Sequence, residues 1–233
     1  MFEIKIQGSS SAGNNYVLVD GESSLMIEAG LRVKEVIKKG INFKSVQGLL
    51  ITHEHGDHAK YAQDMLLAGS FDLWASEGTL KAIGIERRSH ILKSGKQQLI
   101  GNWVIKPFDV IHDHPKARAR EPLGFLILSP SKKKIVFMTD TSYGPKQFKG
   151  VTHWLVECNH DISLVRESGL PKTVQDRIIK THMSIDACKL FFSNADLTTT
   201  EDICLIHLSD KNSDADQFKN DIEKITKKTV RIA

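Results

Sequence analysis

The chain has 233 residues, 40% of them hydrophobic and 26% charged, an apolar content spread over its length that excludes disorder as the main state. Lysine and arginine exceed aspartate and glutamate by 32 − 28 = 4, a mild basicity that permits an anionic partner without demanding one. No apolar run approaches the roughly 20 residues of a membrane span, the start alternates like a strand rather than a signal peptide, and Cys158, Cys188 and Cys204 are too few for a disulfide framework, so a cytoplasmic protein with no membrane association is expected.

Phe2, Ile4 and Ile6 alternate on one face, and further alternating runs at 16–20 and 25–28 follow after Gly, Ser and Asn turns; all three predict strands. A short helix is expected over 33–39, closed by Gly40. Residues 46–52 form a continuous apolar strand of the kind buried on both faces. It runs into His53-Glu-His-Gly-Asp-His58, after which Tyr61, Met65 and Leu66 mark a helix ending at Gly69. Strands are expected at 72–75, 98–110, 123–128, 134–139, 153–158 and 202–207, with Ser76 capping a short helix. Further helices are expected at 162–167, stopped by Gly169 and Pro171, at 184–194, and from a Ser213 cap through Ala215, Phe218, Ile222 and Ile225. No repeat, low-complexity tract or linker interrupts the chain, so residues 1–233 are expected to form one domain. Strand runs followed by helices in each half predict two packed sheets with helices outside.

The most specific feature is His53-x-His55-x-Asp57-His58. Imidazole and carboxylate are ligands for Zn2+ and related first-row ions, and no thiolate lies nearby. Four such residues within six positions, between a buried strand and a helix, can point different ways from one turn and so serve two neighbouring metals. The competing explanation is a polar loop with capping residues.

On these residues the sequence resembles the metallo-β-lactamase superfamily, over nearly its whole length. The resemblance implies an α/β fold, an αββα four-layer sandwich with a metal site at one edge of the two sheets. It also supplies further ligand positions. A histidine after a later strand is matched by Pro107-Phe-Asp-Val-Ile-His112, a bridging carboxylate by Ile135-Val-Phe-Met-Thr-Asp140, and a final histidine by Ile203-Cys-Leu-Ile-His207. One metal is then expected on His53, His55 and His112, the other on Asp57, His58 and His207, with Asp140 bridging them; His114 is the alternative to His112. The implied cofactor is two divalent metal ions, Zn2+ or Mn2+, which a nitrogen and oxygen ligand set does not tell apart. One departure stands out. The second strand usually carries an Asp before its glycine turn, and here Glu28 precedes Ala29-Gly30, in a position that supports the site near Asp57.

Gly8-Ser-Ser-Ser-Ala-Gly13-Asn14, Glu121-Pro-Leu-Gly-Phe125, Glu157-Cys-Asn-His160-Asp161, Thr181-His182-Met-Ser184 and His207-Leu-Ser209-Asp-Lys-Asn212, in that order, are similar to the small YycJ-like (WalJ-like) bacterial and phage branch. That branch is regarded as phosphodiesterases or DNA exonucleases. The resemblance implies phosphodiester cleavage by a hydroxide bridging two metals, with Asp57 and Asp140 fixing the pair. His182 and His160 are the candidates for protonating the departing oxygen or contacting phosphate.

Residue chemistry adds support of its own. Ser9, Ser10, Ser11 and Asn14 are read as a loop whose hydroxyls and backbone N–H groups suit a phosphate oxygen, against a plain turn. Lys116, Arg118 and Arg120 follow His112 at alternate positions and suit flanking phosphates, against a solvated basic loop. Lys132 to Lys134 read as a hydrophilic hairpin turn, His90 and His153 as surface or core residues, and Cys158 as a small core residue.

The expected partner is therefore a nucleic acid, DNA for preference, or a small phosphodiester. The alternative is a small-ester hydrolase of the same fold, a glyoxalase-II-type thioesterase or a lactonase, which shares every ligand. His58 and Asp140 argue against a true β-lactamase, and His55 and the length against a flavodiiron oxygen reductase. The lack of a long insertion between ligands argues against an RNA-processing relative with a cap or arm. A non-catalytic, metal-stabilised binding module is the alternative from another class.

Overall fold

The N-terminal alternation pairs as a hairpin: β1 (Phe2–Ser10) lies antiparallel to β2 (Gly13–Asp20), with Ile4 opposite Leu18 and Ser9 opposite Asn14. The computed structural model describes residues 1–112, 119–145 and 148–233. It divides into two units, Met1–Asp109 with Ala119–Lys133, and Val110–Arg118 with Lys134–Ala233.

In the first unit, β2 pairs antiparallel with β3 (Ser23–Ile27), and β4 (Val46–Leu50), β5 (Asp72–Ala75) and β6 (Ser89–Ile91) then add in parallel. Parallel neighbours need crossovers. These are made by α1 (Val33–Lys38), by α2 (Gly56–Ala59) with α3 (Ala62–Ala68), and by α4 (Glu77–Ile83). Val17, Met26, Leu49, Leu73 and Ala75 from the strands join Ile51, just past β4, and Val36, Met65 and Leu66 from the helices in one apolar cluster. Tyr16, Leu18, Leu25, Ile27 and Leu50 are also fully buried, which accounts for the unbroken apolar run at β4. A second set of strands is antiparallel: β7 (Gln98–Ile100), β8 (Trp103–Asp109) and β9 (Leu123–Leu128). Buried Trp103 donates its indole N–H to Ser23 Oγ at 2.9 Å.

The second unit carries four parallel strands, β10 (Lys134–Met138), β11 (His153–Glu157), β12 (Asp202–Ile206) and β13 (Val230–Ile232). Helices α5 (Ile162–Glu167), α6 (Lys172–Thr181) and α7 (Ile185–Ser193) connect β11 to β12, and α8 (Ala215–Thr226) connects β12 to β13. Trp154 on β11 meets Phe191 and Phe192 of α7 edge-on, at ring-centroid distances of 5.8 and 5.9 Å, the arrangement that aromatic quadrupoles favour. No described helix is long and apolar enough to cross a membrane.

Four local expectations are corrected. The run 98–110 is two strands, because Gly101, at φ 57°, opens a two-residue turn that sets Ile100 opposite Trp103. The segment 9–14 is not a loop: Ser9, Ser10, Gly13 and Asn14 are paired strand residues, and the turn is Ser11 and Ala12 alone. The last helix is capped by Asp214, which accepts from Gln217 N at 3.0 Å, while Ser213 Oγ donates to the Ser209 carbonyl. Helix α6 was not expected at all; its sequence, Lys-Thr-Val-Gln-Asp-Arg-Ile-Ile-Lys-Thr, buries only Gln175 and Thr181.

Candidate metal centre

Functional side chains gather past the carboxyl ends of parallel strands, where open α/β sheets place their ligands. In the first unit, β4 ends at Leu50 and the chain passes through Thr52 to His53; His55 then forms the N-cap of α2, which carries Asp57 and His58. His53 and His58 are buried, with 1% and 0% exposure. Their ring centroids are 4.3 Å apart, and those of His53 and His55 are 4.6 Å apart.

The hydrogen bonds orient the rings. Thr52 Oγ1 donates to Glu28 Oε1 at 2.5 Å, so at 2.9 Å it accepts from Nδ1–H of His53. That leaves Nε2 of His53 as a lone pair, 3.1 Å from Nδ1 of His55. Two imidazole nitrogens at that distance share one proton or face one cation. Glu28 Oε1 also lies 3.2 Å from Nδ1 of His58, which turns Nε2 of His58 towards Asp57 Oδ2 at 3.3 Å. Burial pushes the Glu28 carboxyl upward, and the charge and hydrogen bond of His58 only partly offset this. A single buried carboxylate thus orients two histidines, a function that outer groups commonly serve around metal ligands.

The backbone beneath this turn is stitched tightly. Ala29 N donates to the His58 carbonyl at 2.6 Å and Gly30 N to the Asn14 carbonyl at 2.9 Å. A Cβ on Gly30 would stand 1.8 Å from the Asp57 carbonyl oxygen, so no other residue fits there. Buried Asn14 uses its amide to reach the Ser10 carbonyl (3.0 Å), the Asp57 carbonyl (3.2 Å) and Nε2 of His58 (3.3 Å).

The second unit assembles its own cluster. Asp140 follows β10, Glu157 ends β11, His182 caps α6 and His207 follows β12. Each offers one ligand atom, and these four atoms lie within 4.8 Å of one another. Asp140 and His207 take left-handed conformations, φ 47° and 56°, as Glu28 does at 66°. A non-glycine residue rarely adopts them outside functional or turn positions. Glu157 is the hub. Its Oε1 lies 2.8 Å from His182 Nδ1 and 3.1 Å from His207 Nδ1, while Oε2 accepts from Thr141 N and Met183 N at 3.0 and 3.1 Å. Burial works to raise this carboxyl, but the charge and hydrogen bond of His182 and the bond of His207 outweigh it and bring it down to about 2. It is ionised at any ordinary pH. His112, buried, donates Nδ1–H to the Thr181 carbonyl at 3.0 Å and holds Nε2 3.8 Å from Asp140 Oδ2.

The structure therefore brings His53, His55, Asp57 and His58 together in one unit, and His112, Asp140, His182 and His207 in the other. His160 has no exposed surface, and among the described residues neither ring nitrogen has a hydrogen-bond partner; burial lowers its pKa to about 4. Ser9 Oγ bonds Tyr16 Oη at 2.7 Å and Ser10 Oγ accepts from Ala12 N, whereas Ser11 is exposed. Arg120 is exposed, and its backbone N–H binds both oxygens of Glu54, at 2.9 and 3.1 Å, beside the histidine turn. Lys116, Arg118 and His114 lie outside the described residues. Glu157, Thr52 and the structural use of Asn14 were not anticipated. A signal for Glu157 existed: an acid closing the apolar run Trp154-Leu-Val, as Asp140 closes its own.

Buried imidazoles with fixed tautomers, beside carboxylates and with no thiolate, are a donor set suited to divalent cations. The sequence comparisons agree with that chemistry. A family model described as the beta-lactamase superfamily domain matches residues 15–207. The chain belongs to the metallo-β-lactamase superfamily, in its YycJ-like branch, and is a metal-dependent hydrolase. The exodeoxyribonuclease YycJ of Bacillus anthracis is 30% identical over 226 residues, 89% of this chain and 83% of that protein. The exodeoxyribonuclease WalJ of Streptococcus pneumoniae serotype 2 (strain D39) is 28% identical over 230 residues, covering 91% and 83%. Among solved structures, the metallo-β-lactamase fold protein YhfI of Bacillus subtilis superposes with a TM-score of 0.75 at 14% identity, over 100% of this chain and 96% of that one. The expected αββα fold class is thereby established.

Proposed function

We propose that the chain is a single-domain dimetal phosphodiesterase, a DNA exonuclease acting in the cytoplasm. The observation that carries this reading is the carboxylate-held imidazole of His182. Glu157 accepts its Nδ1–H at 2.8 Å, and the side chain keeps 20% exposure. With Nδ1–H held there, Nε2 is the ring nitrogen that would pass a proton to a departing oxygen. A nucleotide oxygen leaves as a strongly basic alkoxide and needs that proton, whereas a thiolate, with a pKa of about 8.5, leaves unaided. This favours a phosphodiester over the thioester of the alternative reading. Support also comes from two exodeoxyribonuclease relatives aligned over about nine-tenths of the chain.

His53, His55 and His112 would hold one ion, and Asp57, His58 and His207 the other, with Asp140 between them. Two divalent ions, Zn2+ or Mn2+, supply Lewis acidity to phosphate oxygens and to an attacking water when bound. The chain's part is orientation: Glu28 and Thr52 set His53 and His58, and the Thr181 carbonyl sets His112. His160, wholly buried, backs the centre rather than meeting the substrate. Arg120, with Lys116 and Arg118, would hold flanking phosphates, and Ser9, Ser10 and Ser11 would line the same edge. Three buried free cysteines suit a reducing compartment.

The test is degradation of end-labelled linear duplex DNA by metal-free protein reloaded with Mn2+ or Zn2+, beside Asp57→Ala and a circular-DNA control. Loss of linear DNA alone, only in the loaded wild type, is expected. No loss with either metal, together with turnover of thioesters or lactones, would replace this reading with the small-ester hydrolase.

A further inference from the structure

Every phenylalanine, tyrosine and tryptophan but one is buried or half-buried. The exception is Tyr143, with 40% exposure, three residues after Asp140. Tyr16 and Tyr61 engage their hydroxyls, with Ser9 at 2.7 Å and Arg32 at 3.3 Å, and Trp74 stacks on His90. Among the described residues nothing bonds the Tyr143 phenol and no aromatic ring stacks on it.

The loop that carries this ring is tied to the second unit's cluster. Thr141 N donates to Glu157 Oε2 at 3.0 Å, so the loop hangs from the carboxylate that holds His182 and His207. Thr141 Oγ1 accepts from Ile111 N at 3.1 Å and donates to the Tyr143 carbonyl at 2.7 Å, and Ser142 N donates to the Ile111 carbonyl at 3.3 Å. Residues 111–112 and 140–143 therefore run side by side, and each run includes one expected ligand, His112 or Asp140, 3.8 Å apart. Three residues of chain span at most about 10 Å, which is about three base steps of a stacked strand. On the far side of Tyr143, Gly144 faces the core, where a Cβ would meet Met138 and Phe191 at 2.7 and 3.0 Å. The loop is thus anchored before and after the tyrosine. Ile111, on the facing run, is 56% exposed.

We propose that the Tyr143 ring, with Ile111 on the facing run, is a stacking shelf for a nucleobase adjoining the phosphodiester being cleaved. The inference rests on the nuclease reading above and adds how the strand end is gripped. Every base has a π-face, so one aromatic ring holds any of them and the grip carries no sequence preference. A ring with two side-chain torsions on an anchored backbone loses little freedom when a base settles on it.

The experiment uses the full chain loaded with Mn2+ or Zn2+ and linear DNA, single-stranded and duplex. The digested end is intact or carries an abasic residue at its first or its second position. The parent should degrade one of the two abasic substrates about 10–100-fold more slowly than the intact one. Tyr143→Ala should slow the intact substrate to that abasic rate and leave the abasic rate unchanged, whereas a merely structural defect would slow both alike. Tyr143→Phe should keep the parent's preference, and so should Leu99→Ala, at an exposed apolar side chain in the first unit. A second readout needs no turnover. In a strand with phosphorothioate linkages, which resist hydrolysis, 5-iodouracil at the discriminating position should photo-crosslink to the peptide that contains Tyr143. Equal rates on intact and abasic ends by the parent, an undiminished preference in Tyr143→Ala, or crosslinks only to other peptides would overturn the shelf and leave the nuclease reading standing. No degradation of any DNA by the parent would remove both. Self-association of the parent that Tyr143→Ala abolishes, with no base preference, would reassign the ring to a second copy of the chain and so overturn the proposal.

Discussion

Glu28 Oε1 and His58 Nδ1 lie 3.2 Å apart, and neither side chain has any exposed surface. The same carboxylate holds Thr52, and through it His53. Replacing Glu28 with Ala removes one acceptor and strands two buried donors. The expected cost is about 1–3 kcal/mol of stability and a loss of about 10–100-fold in metal affinity. Denaturant unfolding and competitive metal titration measure the two effects separately. Unchanged metal affinity would reduce Glu28 to a packing residue.

Glu157 offers a sharper probe of chemistry. Glu157→Gln retains one oxygen for the Thr141 and Met183 amides but no charge for His182. Turnover of a phosphodiester should fall by about 10²–10⁴, and the alkaline limb of the pH–rate profile, where a required proton donor is lost, should move to lower pH. An unchanged pH–rate profile would argue against His182 as the proton donor.

Gly30→Ala places a methyl where a carbonyl oxygen already stands. The loop must then part from the turn that carries Asp57. We expect a destabilisation of at least about 2 kcal/mol and a weakened response of the melting temperature to added metal. A variant that melts like the parent and gains as much from metal would show that the loop yields cheaply.

His160 ties stability to acidity. Its pKa is lowered to about 4 in the folded chain, against about 6.5 when unfolded. As pH falls through 6.5 the unfolded chain takes up the proton first, so stability is lost between pH 6.5 and about 4, by about 3 kcal/mol, and no further below. Urea unfolding of metal-free protein and of His160→Gln, over that range, should show the extra loss only in the parent. Parallel curves would locate the acid sensitivity elsewhere.

The ligand-rich turn was legible because four donor residues stand within six positions, a density with few other uses. Asp140 and His207 were proposed only through the family resemblance, which looks for a carboxylate and a histidine at the ends of apolar strands. Glu157 ends such a strand too, yet a lone acid there looks the same as a strand terminator until His182 and His207 are seen to close on it. Helix α6 escaped notice because it packs so little of itself: Val174, Ile178 and Ile179 are its only large apolar residues, and none is fully buried. The serines at 9 and 10 misled in the opposite direction. Small polar residues near glycine suggest a loop, but their backbones are committed to pairing with Gly13 and Asn14.

Glu28, Asp140 and His207 each hold a backbone shape that L-residues resist, by roughly 1–2 kcal/mol apiece. Glycine would relax every one of them. Removing the side chains would at the same time strand the buried groups they hold, so the strain at these three strand ends is offset only while those partners stay in place. Anyone stabilising this protein should therefore leave these three positions alone, because a backbone relaxed there gives up the side-chain contacts that the strain was holding in place.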